Sequence, residues 1–188
     1  MPKHLGALTL LLVAAMVIIR IRLMKKQGID AFQFGKIDKT DFIIPPFVLF
    51  YFYTIFANAF DLPLVSTQEL FPIMSIRWAG VFICFAGLLL FLWSILSFGQ
   101  SFRVGIDPDT PNKLITTGVF TYTRNPIYVA FISILLAQFL IFSNPVPLIY
   151  LLAAAWLINR QILREEDFLK EHYGEAYTEY CKRVRRYF

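Results

Sequence analysis

Five apolar blocks, separated by charged or proline-bearing connections, constrain this chain more than any other feature. They cover residues 5–19, 42–60, 76–98, 127–142 and 146–158 of 188. A bilayer-spanning helix needs about 20 apolar residues, so 76–98 is the cleanest span and the shorter blocks must borrow from their flanks. Soluble domains run at roughly 45–50% apolar and about 25% charged residues, whereas this chain is 57% hydrophobic and 16% charged. The blocks therefore predict an all-α integral membrane protein with about five transmembrane helices. Only Ser143, Asn144 and Pro145 separate the last two blocks, which predicts a tight helical hairpin. Beyond it, residues 159–180 alternate acidic with aromatic positions at helical spacing, predicting a C-terminal helix lying on the membrane or on the other helices. No repeat or low-complexity linker interrupts the chain. We read 1–188 as a single membrane domain, with N-terminal spans over 5–98 and a second, chemistry-bearing half over 99–188.

Charge placement predicts orientation. Arg20, Arg22, Lys25, Lys26, Lys36 and Lys39 follow the first block, and no basic residue follows the second until Arg77. Arg103, Lys113 and Arg124 follow the third, none lies at the hairpin tip, and the tail is basic. By the positive-inside rule the N-terminus lies outside and the tail in the cytoplasm. The net charge of +5 is accounted for by these flanks, and no basic stripe points to nucleic acid. Lys3 ahead of an apolar run resembles a signal-peptide start, but no cleavage site follows, so the first block reads as a retained span. Cys84 and Cys181 lack metal-ligand or disulfide-framework spacing.

The segment from Gly118 to Tyr128 is unusually polar for a connection between two apolar blocks. It carries Tyr122, Arg124, Asn125 and a rigid Asn125-Pro126 step just where the fourth block begins. A second polar group, Arg160 to Glu166, follows the fifth block. The hairpin folds the end of the fifth block back to the start of the fourth, so topology alone predicts that Tyr128 and Glu165 are neighbours at the cytoplasmic face. Arginine binds carboxylates bidentately, Glu165 or Glu166 suits an ammonium group, and Phe120, Tyr122 and Tyr128 offer faces to a heterocycle or a sulfonium. On composition alone, Arg124 serves equally as a membrane anchor, the tyrosines as an aromatic belt, and Glu165 as a partner of a helical cation. Other chemistries lack a signature. There is no glycine-rich phosphate loop or nucleophile elbow. The only histidines, His4 and His172, lie far apart in the sequence, and no metal site is expected.

The run Leu114-Ile115-Thr116-Thr117-Gly118-Val119-Phe120, then Tyr122, then Arg124-Asn125-Pro126-Ile127-Tyr128 resembles the signature of the isoprenylcysteine carboxyl methyltransferase and phospholipid methyltransferase superfamily. So do Glu165-Glu166, Leu169, Tyr173-Gly174-Glu175, Tyr177 and Tyr180, and the basic end from Val184 to Phe188. The resemblance covers roughly 99–188. It implies a membrane-embedded methyltransferase dependent on S-adenosyl-L-methionine. By this likeness Lys113, Leu114, Ile115 and Phe120 line the cofactor pocket, Asn125, Pro126, Ile127 and Tyr128 form its turn, and Glu165 contacts the cofactor. Three departures stand out. Asn125 replaces the family's usual histidine and Phe120 its tyrosine. Gln161 stands where an arginine four residues before Glu165 is expected. Arg160, about 100° around a helix from that place, Arg164 and Arg103 are the remaining candidates to hold a substrate acid group.

The implied reaction is methyl transfer to a lipophilic acceptor, isoprenylcysteine carboxylate-like or an amino-lipid, at the cytoplasmic membrane face. Glu166 is the candidate base for an amine acceptor, while a carboxylate or thiolate needs none. The implied partners are a lipophilic or prenylated substrate and membrane lipid. Two other readings fit less of the pattern: a nicotinamide-dependent membrane reductase of sterol-reductase type, and a non-enzymatic scaffold.

Overall fold

The computed structural model describes residues 1–28, 44–99 and 114–187. Among them the regular structure is entirely helical. The elements are α1 (Pro2–Lys26), α2 (Ile44–Ala59), α3 (Met74–Phe98), a 3-10 turn (Gly118–Thr121), α4 (Pro126–Phe142), α5 (Pro145–Tyr173) and α6 (Glu175–Arg183). The protein is thus an all-α membrane protein, as the apolar blocks predict. Among the described residues α1, α3 and α5 are long and apolar enough to cross a membrane, and α4 is apolar but shorter. With 17 residues, α4 extends about 26 Å, slightly less than the hydrocarbon thickness of about 30 Å.

The predicted hairpin forms. Ser143 ends α4 in the left-handed region (φ 50°), and the Asn144 side chain caps α5 by accepting from the Val146 N–H at 2.9 Å. Pro145 follows at the first helical position, where its missing donor costs nothing. The tip also holds the α2–α3 connection: Ser143 Oγ accepts from the Phe71 N–H at 2.6 Å, and Asn144 Nδ2 donates to the carbonyls of Ser66 and Gln68.

The tail is helical as expected, but its boundaries differ. The helix does not restart near Asn159. α5 runs without a break from the hairpin through the polar stretch to Tyr173, 29 residues in all. Gly174 ends it, and only α6 is separate. The patterning changes from all-apolar to amphipathic at Asn159 although the backbone does not break there.

The tightest packing is between α3 and α4. A Cβ on Gly80 would come within 2.8 Å of Ile141 Cγ1 and 2.9 Å of the Ala137 carbonyl, and one on Gly87 within 2.8 Å of Ile134 Cγ1. With the buried Cys84 between them, these positions form the small-residue face that lets membrane helices approach closely. Inside this interface Gln138, fully buried, donates to the Gly6 carbonyl at 2.8 Å and to Thr9 Oγ1 at 2.7 Å, with Cys84 Sγ at 3.8 Å. This polar knot joins α1, α3 and α4 where water is excluded.

Candidate functional site

At the other end of α4, the 3-10 turn brings the chain back under α3. Gly118 has φ 65°, and a Cβ there would lie 2.5 Å from Ser97 Oγ, so both conformation and space call for glycine. Val119 and Phe120 are buried beneath it against Tyr177 and Tyr180 of α6. Tyr180 donates its hydroxyl to the Phe120 carbonyl at 2.7 Å. Burial pushes the Tyr180 hydroxyl up to about 12 and raises that of Tyr177 as well. Neither is a proton donor near neutrality, and both serve to dock α6.

Tyr128, in the first turn of α4, donates to Glu165 Oε1 at 2.5 Å. Gln161, one turn before Glu165 on α5, donates to the same oxygen at 3.0 Å. The neighbours predicted from topology are therefore in direct contact. Among the described residues no cation pairs with Glu165. Its carboxylate is held in place by two neutral donors.

Glu166 points elsewhere, as the helix turn of about 100° per residue requires. Its Oε1 pairs with Arg124 at 3.0 Å, and its Oε2 accepts from Arg186 Nε at 3.0 Å and Arg186 NH2 at 2.7 Å. The hydrogen bond to Glu166 raises the Arg186 guanidinium above its ordinary value. Arg186 belongs to a short non-helical strap, 184–187, that follows α6. The Arg185 carbonyl accepts from the Arg124 N–H at 3.0 Å, and the Arg186 carbonyl accepts from Thr123 Oγ1 at 3.2 Å and from Asn125 Nδ2 at 3.1 Å. Tyr187 then donates to Asn159 Oδ1 at 2.8 Å. Asn125 is nearly buried. At the place of the family's histidine, it holds the strap through an amide donor.

Between α4 and α5 lies a groove of about 320 Å³. It is lined by Val129, Ile132, Ser133, Ala155 and Ile158, with Tyr128, Asn159 and Tyr187 at the end nearest the polar cluster. An apolar channel with a few polar groups at one end is the usual form of a small-molecule site.

Of the predicted site residues, Tyr128, Glu165, Glu166 and Asn125 meet around the start of α4. Pro126 is buried at the first helical position, and Ile127 packs against the cluster of Met24, Phe91, Ile95 and Ala130. Leu114, Ile115 and Phe120 pack with α6, and Phe120 sits edge-on to Phe98 at 4.7 Å. Arg160 and Arg164 are exposed. The Arg160 guanidinium lies over the Trp156 ring at 5.8 Å, and neither arginine bonds to the Tyr128–Glu165 pair. Arg103 and Lys113 lie outside the described residues. Sequence reasoning missed Gln161 as a partner of Glu165, although the i, i+4 spacing announces it. It also missed Thr123, Asn159, Arg186 and Tyr187, whose bonds link positions far apart and leave no local pattern.

An all-helical membrane protein with a polar cluster and an apolar groove at the open end of a helical hairpin is the class that this fold and site define. The phospholipid methyltransferase family matches residues 75–176 of 188, and the chain belongs to that family. Among curated proteins it is similar to protein-S-isoprenylcysteine O-methyltransferase B of Arabidopsis thaliana, at 29% identity over 61% of each chain. Protein-S-isoprenylcysteine O-methyltransferase of Tribolium castaneum is 27% identical over 70% of this chain and 50% of its own. The Schizosaccharomyces pombe protein of the same name is 30% identical over 46% of this chain and 38% of its own. The matches thus span less than two thirds of these relatives' length.

Proposed function

We propose that this protein is a membrane methyltransferase that uses S-adenosyl-L-methionine to methylate a lipophilic acceptor at the cytoplasmic face. The observation that carries the reading is the Tyr128–Glu165 pair. A carboxylate without a cationic partner among the described residues is held beside an aromatic ring at the polar end of an apolar groove. This donor set fits the cofactor: Glu165 suits an ammonium group or ribose hydroxyls, and the face of Tyr128 suits a sulfonium. When bound, the cofactor supplies an electrophilic methyl group on that sulfonium.

The chain's own residues then have to align the acceptor and exclude water. Gln161 and Tyr128 orient the Glu165 carboxylate, while Val129, Ile132, Ala155 and Ile158 give the acceptor's lipid part a dry channel open towards the bilayer. Both oxygens of Glu166 are engaged by guanidinium groups, so Glu166 has no free oxygen to take a proton from an amine. That geometry favours an acceptor that is already anionic, a carboxylate or thiolate, and the relatives named as isoprenylcysteine O-methyltransferases support the same class.

Calorimetric titration of the purified protein with S-adenosylhomocysteine, with NADPH as the contrasting ligand, tests the reading. Saturable binding of the former alone is expected. Incubation with labelled S-adenosylmethionine and a membrane lipid extract, followed by mass identification of the methylated species, then names the acceptor. Binding of NADPH in place of S-adenosylhomocysteine overturns the assignment.

A further inference from the structure

The strap is held unevenly, and the unevenness falls at the groove. Val184 is anchored to α6 by its N–H bond to the Tyr180 carbonyl at 3.0 Å, and the attachments to the start of α4 and to Glu166 lie at Arg185 and Arg186: two main-chain carbonyls accept bonds from Thr123, Arg124 and Asn125, and the Arg186 guanidinium grips Glu166 through two nitrogens. Among the described residues Tyr187, the next residue, has a single side-chain attachment, the neutral bond to Asn159. Tyr187 is 42% exposed, and Asn159 is exposed too. Yet the Tyr187 ring is one wall of the groove, on the side where Tyr128 presents its hydroxyl to Glu165. A side chain with a firmly fixed backbone and one weak, solvent-reachable pin can turn about its own χ1 without disturbing the strap.

We propose that Tyr187 is a gate on the polar end of the α4–α5 groove, pinned shut by Asn159 and swung aside to admit the polar head of the acceptor. Opening does two things. It widens the passage beside the Tyr128–Glu165 pair, and it frees the Asn159 carboxamide, which offers both donors and an acceptor to a carboxylate or amide on the incoming molecule. The tyrosine hydroxyl and the acceptor's head then compete for the same amide, so acceptors with a hydrogen-bonding head are favoured over purely apolar ones. What passes the gate rests on the methyl-transfer reading; the gate itself rests only on the strap and the groove.

The test places a reporter inside the groove. Ser133 lines it, so Ser133→Cys in nanodiscs is treated with a small cationic methanethiosulfonate that approaches from water. Labelling is counted against the same protein without the new cysteine. Adding Tyr187→Phe, which keeps the ring and removes the pin, is expected to speed labelling about threefold to tenfold, the shift for one neutral hydrogen bond. Asn159→Ala should do the same from the other side, and the two together should do no more than either alone. Tyr187→Ala, which removes the wall itself, should label fastest. Equal rates in all these proteins overturn the gate. If the rates separate while the wild-type protein binds no S-adenosylhomocysteine, the gate stands and the methyl-transfer reading falls. If it binds and the rates coincide, the reverse holds.

Discussion

The two ends of α4 are both polar in an otherwise apolar molecule, and they are built on opposite plans. At the hairpin end, Gln138 is sealed among Gly6, Thr9 and Cys84 with uncharged partners and essentially no exposure. At the other end, roughly 15 Å along the axis, Tyr128 meets Glu165, and Arg124, Glu166 and Arg186 form a charged group that remains partly open to solvent. The first end uses polarity to lock helices where no water competes. The second keeps ionisable groups beside a groove, where a ligand can reach them. Polar residues in a membrane helix thus separate into packing and chemistry by what they are left free to touch.

The comparison can be broken from either end. The largest effect is expected at the open end: Glu165→Ala should weaken S-adenosylhomocysteine binding about tenfold to a hundredfold, the range for hydrogen bonds to a charged group, with the melting temperature nearly unchanged. Calorimetry paired with a melting curve checks both halves. At the sealed end the pattern should invert. Gly87→Leu, driven into Ile134, or Gln138→Leu should cost about 1–3 kcal/mol of stability, read as a lower melting temperature in lipid, while cofactor affinity in the folded fraction is preserved. A loss of affinity there without a loss of stability would erase the distinction.

Smaller changes sharpen the picture within the open end. Glu166→Gln trades two ion pairs for neutral contacts at a partly exposed place, about 1 kcal/mol. The expected result is faster hydrogen exchange at 184–187, with Glu165 undisturbed. The weakest effect concerns α6. Tyr180 holds its proton to about 12 when docked and to about 10 when free. The undocked state therefore loses its proton first as pH rises. Docking is at full strength below about pH 10 and declines between 10 and 12, which exchange protection in α6 should follow.

Much of this was legible in the residues themselves. Apolar blocks and the three-residue connection at Ser143 predicted the hairpin, and the hairpin alone put Tyr128 beside Glu165. The continuity of α5 was hidden because its pattern changes from all-apolar to amphipathic at Asn159, which reads as a boundary although the backbone does not break. A lone glutamine in the fourth block was the visible sign of the sealed knot, but its partners Gly6 and Thr9 lie more than a hundred residues earlier. The strap was the least legible. A short non-helical segment has no helical period, and half of its bonds to the rest of the site are accepted by its carbonyls, which no side-chain pattern can announce.

The unbroken course of α5 has a mechanical consequence. A 29-residue helix is a rod of about 44 Å, and Glu165 rides on it about 30 Å from the hairpin, while Tyr128 rides on a different helix. Helices answer a change in bilayer thickness by tilting. A pivot of five degrees about the hairpin would carry Glu165 sideways by about 2–3 Å over that length, enough to open a bond of hydrogen-bond length to Tyr128. A tilt of α5 relative to α4 would thus act on the site at the full length of that lever arm.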